Sequence, residues 1–186
     1  MSAKHLLGII NEVLDMSKIE AGKIELDEQK IDLNALCTNI VRIMKSRALN
    51  EKTTIIEQYD PFIPKLYADA RLIRQILINL ITNSVKYSIH GGQITISTTL
   101  NGKNEIEISV SDTGVGIPED RLKDALEPFG QINDPHTSHE TYQGTGLGLP
   151  LAKAMVEIHG GVFRINSKEG EGTDINISFS SSRTKS

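Results

Sequence analysis

The stretch that decides the fold is residues 69–87, DARLIRQILINLITNSVKY. Apolar side chains occupy nearly every side of this segment, and a helix of that kind must be buried in a protein core. Asp69 is placed to cap its start, so we predict a helix from about Asp69 to Tyr87. Three polar residues recur at intervals of four and three and therefore align along one side of the helix: Asn79, Asn83 and Lys86.

This polar line has two interpretations, and the helix alone leaves both open. In the first, the three side chains face solvent. In the second, they are buried and line a site for a polar ligand, since buried polar groups need hydrogen-bond partners. An asparagine carbonyl oxygen is a ligand that Mg²⁺ accepts. A lysine one turn further on meets a phosphate as a point charge.

A second signal is SDTGVGIP at residues 111–118. A predicted strand ends at Asp112, and Gly114 and Gly116 then allow a tight backbone path. A carboxylate at that point can accept a hydrogen bond from an exocyclic amine such as N6 of adenine. Many junctions between a strand and a loop share this pattern, so it is weak on its own.

A third signal is GTGLGLPLAKAMVEIHGG at residues 144–161. Alternate glycines directly before an apolar helix leave backbone N–H groups free to point at an anion, at the positive end of the helix dipole. The segment lacks the Lys-Ser/Thr pair of a P-loop, and its spacing and position do not fit a dinucleotide-binding fingerprint. A plain glycine-rich hinge remains the alternative.

The remaining pattern predicts an α+β protein in which helices cover one mostly antiparallel sheet. An amphipathic helix over residues 3–21 ends at Gly22, and Asn34 is placed to cap a helix over 35–49. Strands pair as a hairpin around Asn101-Gly102. The other predicted elements are strands near 24–33, 53–59, 161–167 and 173–179, a short helix near 119–125, a loop over 127–145 and a helix over 147–158.

The first helix carries an apolar stripe of Leu6, Leu7, Ile10, Val13 and Leu14. This stripe either packs on the chain's own domain or binds a partner, such as a second copy or an added helix. The sequence leaves these two interpretations equally open.

Composition excludes several function classes. The 186 residues are 38% hydrophobic and 24% charged with a net charge of −4, which gives no reason to expect nucleic acid or an anionic membrane as a partner. The single cysteine, Cys37, lies in an apolar helical pattern and is expected to be a buried structural thiol. We find no targeting or membrane segment and expect a cytoplasmic location.

Together, and in this order, the three signals resemble the ATP-binding fold shared by sensor histidine kinases, gyrase B and related ATPases. NLITNSVKYS resembles the asparagine box of that family, DTGVGIP its first glycine box and EPFGQ its phenylalanine box. GTGLGL and GEGT resemble its later glycine boxes, and HLLGIINEVLDMSKIEAGKIEL resembles the end of the second dimerisation helix of histidine kinases. The resemblance covers about residues 4–180 and implies a two-layer α/β sandwich of the Bergerat type.

It also implies a division of the chain. Residues 1–22 are expected to be the remnant of the dimerisation helix and residues 23–180 the catalytic domain. The polar composition of residues 181–186 separately predicts a disordered tail. The segment over about 118–145 is expected to be a mobile lid.

The resemblance implies ATP or ADP with Mg²⁺ as cofactors and assigns roles to individual residues. Asn83 would be the metal ligand, Lys86 a phosphate contact and Asp112 the residue that selects adenine. Phe129 would anchor the lid by packing. The remaining residues implied to line the nucleotide site are Tyr87, Gly114, Gly116, Ile117, Gly144, Thr145, Gly146, Leu147, Gly148 and Thr173.

Asn79 separates the kinases of this family from its ATPases. The hydrolysing relatives have a glutamate, which activates water, one helical turn before the metal-binding asparagine. Asn79 stands at that position, and a neutral amide cannot act as a general base at neutral pH. We therefore predict phosphoryl transfer to a protein, with Asn79, Asn83 and Lys86 as the catalytic residues.

The acceptor histidine is expected to lie on a first dimerisation helix that this sequence does not contain. Ser138-His139-Glu140 has the letters of an acceptor motif, but it falls in the predicted lid and lacks the proline that follows in the family. Expected partners are the dimerisation domain and a response-regulator receiver domain. Two alternatives remain, a hydrolysing ATPase and a nucleotide-binding interaction module without transfer activity.

Overall fold

The buried helix is present as α3, Ala70–Lys86, in a computed structural model that describes residues 3–130 and 145–184, with side chains from residue 6 onward. Asp69 caps it as predicted, because its Oδ1 accepts hydrogen bonds from the backbone N–H of Arg71 at 2.9 Å and of Leu72 at 3.2 Å. Nine of its side chains are buried. The periodicity and the capping residue therefore located this helix to within one residue at each end.

The other elements follow in chain order. The helices are α1 (Ala3–Glu20), α2 (Leu33–Asn50), α4 (Leu122–Leu126) and α5 (Gly148–Ile158). The strands are β1 (Glu28–Ile31), β2 (Thr54–Tyr59), β3 (Leu66–Asp69), β4 (Gln93–Leu100), β5 (Ile106–Asp112), β6 (Val162–Lys168) and β7 (Gly172–Phe179). Two 3₁₀ segments, Glu119–Arg121 and Ser181–Thr184, complete the described chain.

Five strands form one sheet in the order β2-β4-β5-β7-β6. The β2–β4 pair is parallel, and the other three pairs are antiparallel. In register, Asp112 on β5 lies opposite Thr173 on β7, so two of the predicted site residues are neighbours at one end of the sheet. A separate antiparallel pair joins β1 to β3.

Helices α2, α3 and α5 cover one face of the five-stranded sheet and form the core with it. The side chains of β4, β5 and β7 alternate, with apolar ones such as Ile96, Ile108 and Ile177 buried and polar ones on the opposite face. This is the predicted two-layer α/β sandwich with a mixed, mostly antiparallel sheet. Cys37 is buried in this core, and burial raises the pKa of its thiol to about 12, so the thiol is structural as expected.

Two predictions about local structure were wrong. Asp32, and not Asn34, caps α2, because Asp32 Oδ1 accepts from Ala35 N at 2.9 Å. The Asn34 side chain instead bonds Asp60 O and Thr98 Oγ1 and connects α2 to the sheet. Residues 24–27 form no strand, and pairing begins at Glu28.

The predicted disorder of the tail was also wrong for Ser181–Thr184, the part of the tail that the structure describes. Ser181–Thr184 form a 3₁₀ turn in which the Arg183 guanidinium pairs with the Glu28 carboxylate and donates to Tyr67 O at 3.0 Å. Both side chains of the ion pair are mostly buried, at 20% and 23% exposure. The segment is therefore tied to the small β1–β3 sheet.

Helix α1 ends at Glu20, and Gly22 follows it with a φ of 62°, the left-handed conformation that terminates a helix. Most of its apolar stripe does not pack on the domain: Leu6, Leu7, Ile10 and Leu14 are between 46% and 58% exposed. Met16 and Ile19 make the contact with the core instead. In the described residues, no helix has both the length and the apolar content needed to cross a membrane.

His159 is completely buried at the end of α5. Its Nε2 accepts from Asp69 N at 3.2 Å, which requires that Nδ1 carry the proton and donate it to Met155 O at 2.7 Å. The ring packs edge-on against Phe179. One neutral imidazole thus joins the end of α5 to the start of α3.

The stability of the domain is expected to fall in mildly acidic solution because of His159. Burial lowers the pKa of His159 and outweighs the opposing hydrogen bond to Met155 O. The nearby Arg183 charge lowers this pKa further, and Glu28 and Asp69 oppose it more weakly. The unfolded state then binds a proton below pH ~6.5 that the folded state does not, so the unfolding free energy decreases as the pH falls through that value. The decrease reaches about 1.4 kcal/mol per pH unit at most for one proton. Urea titrations between pH 5 and 8 should show this slope, and a His159→Gln variant should lose it; an unchanged slope in that variant would contradict the assignment.

Candidate functional site

The three motifs meet around α3. The start of α5 lies beside the middle of α3, where Asn79 Nδ2 donates to Gly148 O at 3.2 Å. The C-terminal end of α3 meets the turn after β5, where Val115 N donates to Tyr87 O at 3.1 Å. The polar side of α3 therefore lies between the two glycine-containing segments and is not fully open to solvent. Asn79, for example, is only 7% exposed.

Asn83 is half-buried and lies next to the first residue of α5. A Cβ on Gly148 would stand 3.7 Å from Asn83 Nδ2 and 3.8 Å from Oδ1, which is ordinary van der Waals contact, so the start of α5 lies directly against this amide. Within the described residues the Asn83 side chain has no hydrogen-bond partner. The part of the chain that the structure describes therefore leaves this amide open to a ligand.

Lys86 and Tyr87 stand at the end of the same helix. Lys86 Nζ donates to Tyr87 Oη at 2.9 Å and lies 4.6 Å from the centre of the Tyr87 ring, a cation–π distance. The Tyr87 side chain is 49% exposed. The ammonium group is therefore held at the rim of the site by an exposed ring, which is a weak restraint.

Asp112 is fixed by backbone amides. Its Oδ1 accepts from Gly114 N at 2.9 Å and from Thr173 N at 3.3 Å. Burial raises the pKa of the Asp112 carboxyl, and the two amides and the Ser84 hydroxyl reduce this rise. The carboxyl group is thus rigidly oriented at the end of β5.

In the turn after Asp112, the backbone at two glycines packs closely against the backbone of other segments. Gly114 packs against Tyr87 O, where a Cβ would come within 2.4 Å. Gly116 has a φ of 68°, and a Cβ there would come within 2.0 Å of Lys168 O. Ile117 N donates to Ser167 Oγ at 2.7 Å, so the turn is also bonded to β6.

Replacing Gly116 by alanine is expected to destabilise the domain strongly. Gly170 provides a matched control, since its φ of 76° is similar but nothing lies within 4 Å of its Cβ position. Gly170→Ala should lower the unfolding free energy by about 1–2 kcal/mol through backbone strain alone, and Gly116→Ala by about 1–3 kcal/mol more because the turn must move. Denaturant unfolding of both variants checks this, and equal losses would show that the close approach to Lys168 carries no energy.

The glycine-rich segment is described from Thr145 onward, so Gly144 lies outside the described residues, as do His139 and the half of the predicted lid over 131–144. Gly146 has a φ of 71° and accepts a hydrogen bond from Phe129 N at 3.1 Å. Helix α5 starts at Gly148 without a side-chain cap, and Leu147 N donates to Thr145 Oγ1 at 3.2 Å. Pro150 stands in the first turn, where proline is tolerated.

The prediction that the Phe129 side chain anchors the lid by packing was wrong. Its ring is 62% exposed, and its φ is 64°. The link between this residue and the glycine-rich segment is the backbone hydrogen bond to Gly146.

Several contacts of the site were missed at the sequence level. Ser167 Oγ bridges Ile117 N, Gly172 O and Thr173 Oγ1. Gln75 donates to Asn79 Oδ1 at 2.9 Å. Thr145 Oγ1 donates to Glu12 Oε2 at 2.7 Å, which connects α1 directly to the glycine-rich segment. For Gln75 and Glu12, a polar residue within a helix was the available signal, and it does not say where the partner lies. No such signal existed for Ser167 on β6 or for Thr145 before α5.

Comparison with known proteins decides the family. The family model described as histidine kinase-, DNA gyrase B- and HSP90-like ATPase matches residues 68–183, which include α3, both glycine-containing segments and Thr173. The chain belongs to this family. The family predicted from the three motifs is thereby confirmed.

Curated proteins similar to this chain include histidine kinases. The cell-division control histidine kinase PdhS of Brucella anthropi is 36% identical over 188 aligned residues, which cover 98% of this chain. The same kinase of Brucella abortus is also 36% identical over 98% of the chain. This chain spans 18% of the length of these relatives.

Solved structures of histidine kinases share the fold. Full-length ShkA in complex with AMPPNP matches 94% of this chain and 35% of its own, with a TM-score of 0.82 and 27% identity. The histidine kinase AdeS of Acinetobacter baumannii matches 95% of this chain and 79% of its own, with a TM-score of 0.78 and 22% identity, and supports the fold alone. The chain thus contains an ATPase-type domain of this family, preceded by a helix, and its fold is that of histidine kinase structures.

Proposed function

We propose that this domain binds ATP, or its diphosphate product, with Mg²⁺ and passes the γ-phosphoryl group to a histidine on a dimerisation helix. The observation that carries the proposal is the meeting of Asn83, the oriented Asp112 carboxyl and the uncapped start of α5 around one helix. These groups supply the three kinds of recognition that a metal-bound nucleotide needs.

Asn83 fits the metal. Its amide has no partner within the described residues, and those residues hold no group of three or more His, Cys, Asp or Glu side chains that could bind a metal by themselves. Mg²⁺ typically keeps several waters and is bound through few protein oxygens together with substrate phosphates. When bound, the metal would neutralise charge on the phosphate oxygens.

Asp112 and the start of α5 would bind the two ends of the nucleotide. The free acceptor capacity of the Asp112 carboxylate suits an exocyclic amine of adenine, with Thr173, Ile117 and Gly116 forming the surrounding walls. The N-terminus of α5 suits phosphate, since its first-turn amides and the helix dipole both favour an anion. Lys86 would leave the Tyr87 ring to meet the phosphates, which costs little because that contact is exposed.

Asn79 favours transfer over hydrolysis. Its amide is neutral, and both of its polar atoms are bonded within the protein, to Gln75 and to Gly148. No carboxylate stands at this position to activate water. We therefore place Asn79 in the scaffold of the site, in contrast to the catalytic role that the sequence predicted for it.

The acceptor is expected on a separate helix. His159 is buried with both nitrogens bonded, and His90 lies in an exposed turn after α3 without an acidic neighbour. The exposed stripe of α1 fits a dimerisation partner, either a second copy or an added helix, and a response-regulator receiver domain would take the phosphoryl group onward. A cytoplasmic location is part of the same proposal.

The test is to mix this chain with a separately produced dimerisation domain that carries the acceptor histidine and to add γ-labelled ATP. Label is expected on the dimerisation domain, and little or none on this chain. Titration calorimetry with Mg·ATP should show binding, and no heat at millimolar nucleotide would overturn the proposal. Steady phosphate release by the chain alone, lost in Asn83→Ala, would indicate an ATPase.

A further inference from the structure

Two amide side chains one turn apart on α3 form a directed chain of hydrogen bonds. Gln75 Nε2 donates to Asn79 Oδ1 at 2.9 Å, and Asn79 Nδ2 donates to Gly148 O at 3.2 Å. The direction is fixed by the last acceptor, because a backbone carbonyl can only accept. Asn79 must therefore turn its NH₂ group towards Gly148, which leaves its oxygen facing Gln75 and in need of a donor.

Gly148 connects these two hydrogen bonds to the candidate nucleotide site. Its carbonyl is held by Asn79, and its Cα faces the Asn83 amide one turn further along α3. The position of the start of α5 relative to Asn83 thus depends on a buried hydrogen bond from Asn79, whose side chain is 7% exposed. A bond at that depth is costly to leave unmade.

We propose that Gln75 is a positioning residue for the nucleotide site: it fixes the orientation of the Asn79 amide and, through it, the position of Gly148 against Asn83. This inference rests on the proposed function, because it assumes that phosphate and metal are bound between α3 and the start of α5. Gln75 itself makes no contact with the nucleotide in this assignment. Its contribution is a single N–H donor.

A pair of substitutions separates the donor from the shape of the side chain. Gln75→Glu preserves the shape but cannot donate, so either the Asn79 amide turns its oxygen towards Gly148 O or two oxygens face each other. Gln75→Lys differs in shape but restores a donor. We expect the Glu variant to bind Mg·ATP roughly 10- to 100-fold more weakly, which is the range known for residues that orient metal-binding side chains. The Lys variant should bind within a few-fold of the parent chain.

The measurement is titration calorimetry of the whole chain with Mg·AMPPNP, with thermal unfolding of each variant alongside. Arg74→Gln is the control for charge, since it changes the net charge by one unit at an exposed neighbouring position and should leave affinity unchanged. Gln75→Met removes the donor without adding charge and should show a smaller loss in the same direction, which keeps the test decisive if the Glu variant does not fold.

The outcomes are distinct. Equal affinity of the parent chain and the Glu or Met variants would overturn the role of Gln75 while leaving the proposed function intact. Equal weakening in the Lys and Glu variants would show that shape and not the donor matters, and would also overturn it. Absence of nucleotide binding by the parent chain would overturn the proposed function together with this inference.

Discussion

Asn83→Ala is expected to abolish phosphoryl transfer and to remove the preference of the domain for metal-bound nucleotide. The Asn83 amide lies beside Gly148 with no partner in the described part of the chain, so its loss breaks no internal hydrogen bond there. The side chain is half-buried, and we expect the variant to fold. The loss should therefore appear in function, with transfer reduced by more than about 100-fold, since even residues that merely orient a metal ligand typically cost 10- to 100-fold.

The measurement compares nucleotide affinity with and without Mg²⁺. The parent chain should bind ATP more tightly with Mg²⁺ than in EDTA, and Asn83→Ala should bind similarly in both. Thr82→Ala, one residue away on α3, provides a control that should behave as the parent chain does. If Asn83→Ala retains the full effect of Mg²⁺, the metal is bound elsewhere and the proposed role of Asn83 is wrong.

The features that could be predicted from the sequence are those that depend on residues close together in the chain. The helix α3 and its Asp69 cap depend on residues a few positions apart, and the same holds for the hairpin of β4 and β5. The order of the glycine-containing motifs on either side of the predicted lid was sufficient to indicate the family, because each motif is a local chain path that glycine permits.

The errors come from interactions between distant segments. Asp32 and Asn34 are both good capping residues. Asn34 does not cap α2 because its side chain is hydrogen-bonded to Asp60 O and Thr98 Oγ1. The tail is ordered by an ion pair between Arg183 and Glu28, which lie 155 residues apart. No local pattern encodes such pairings, since many polar residues compete for each partner.

The same limit applied to Asn79. Spacing placed it on the line with Asn83, and its chemistry argued against a general base, but its two bonds required the fold to be known. Gly148 lies 69 residues further along the chain. Periodicity gives the face of a helix on which a side chain stands, and the tertiary structure gives its partner.

Asp112→Asn is expected to weaken binding of ATP by roughly 1–3 kcal/mol, or about 5- to 150-fold, with little change in stability. Oδ1 accepts from two backbone amides, Gly114 N and Thr173 N, and those donors must meet an oxygen in the variant as well. The introduced asparagine is therefore forced to place its NH₂ group where the second carboxylate oxygen stood. A donor then faces the amine of adenine, which is also a donor, and the hydrogen bond is replaced by a repulsive contact.

This forced orientation gives the prediction a second, independent result. Inosine triphosphate has an oxygen acceptor in place of the adenine amine, so the introduced amide can donate to it. The ratio of ATP affinity to ITP affinity should fall in Asp112→Asn, beyond any general loss of binding, when both nucleotides are titrated against both proteins. Ser109→Ala, on the opposite face of the same strand, is the control and should leave the ratio as it is. A variant that loses affinity for both nucleotides equally would mean that Asp112 supports the turn and does not select the base, and unchanged affinity for ATP would remove Asp112 from the site altogether.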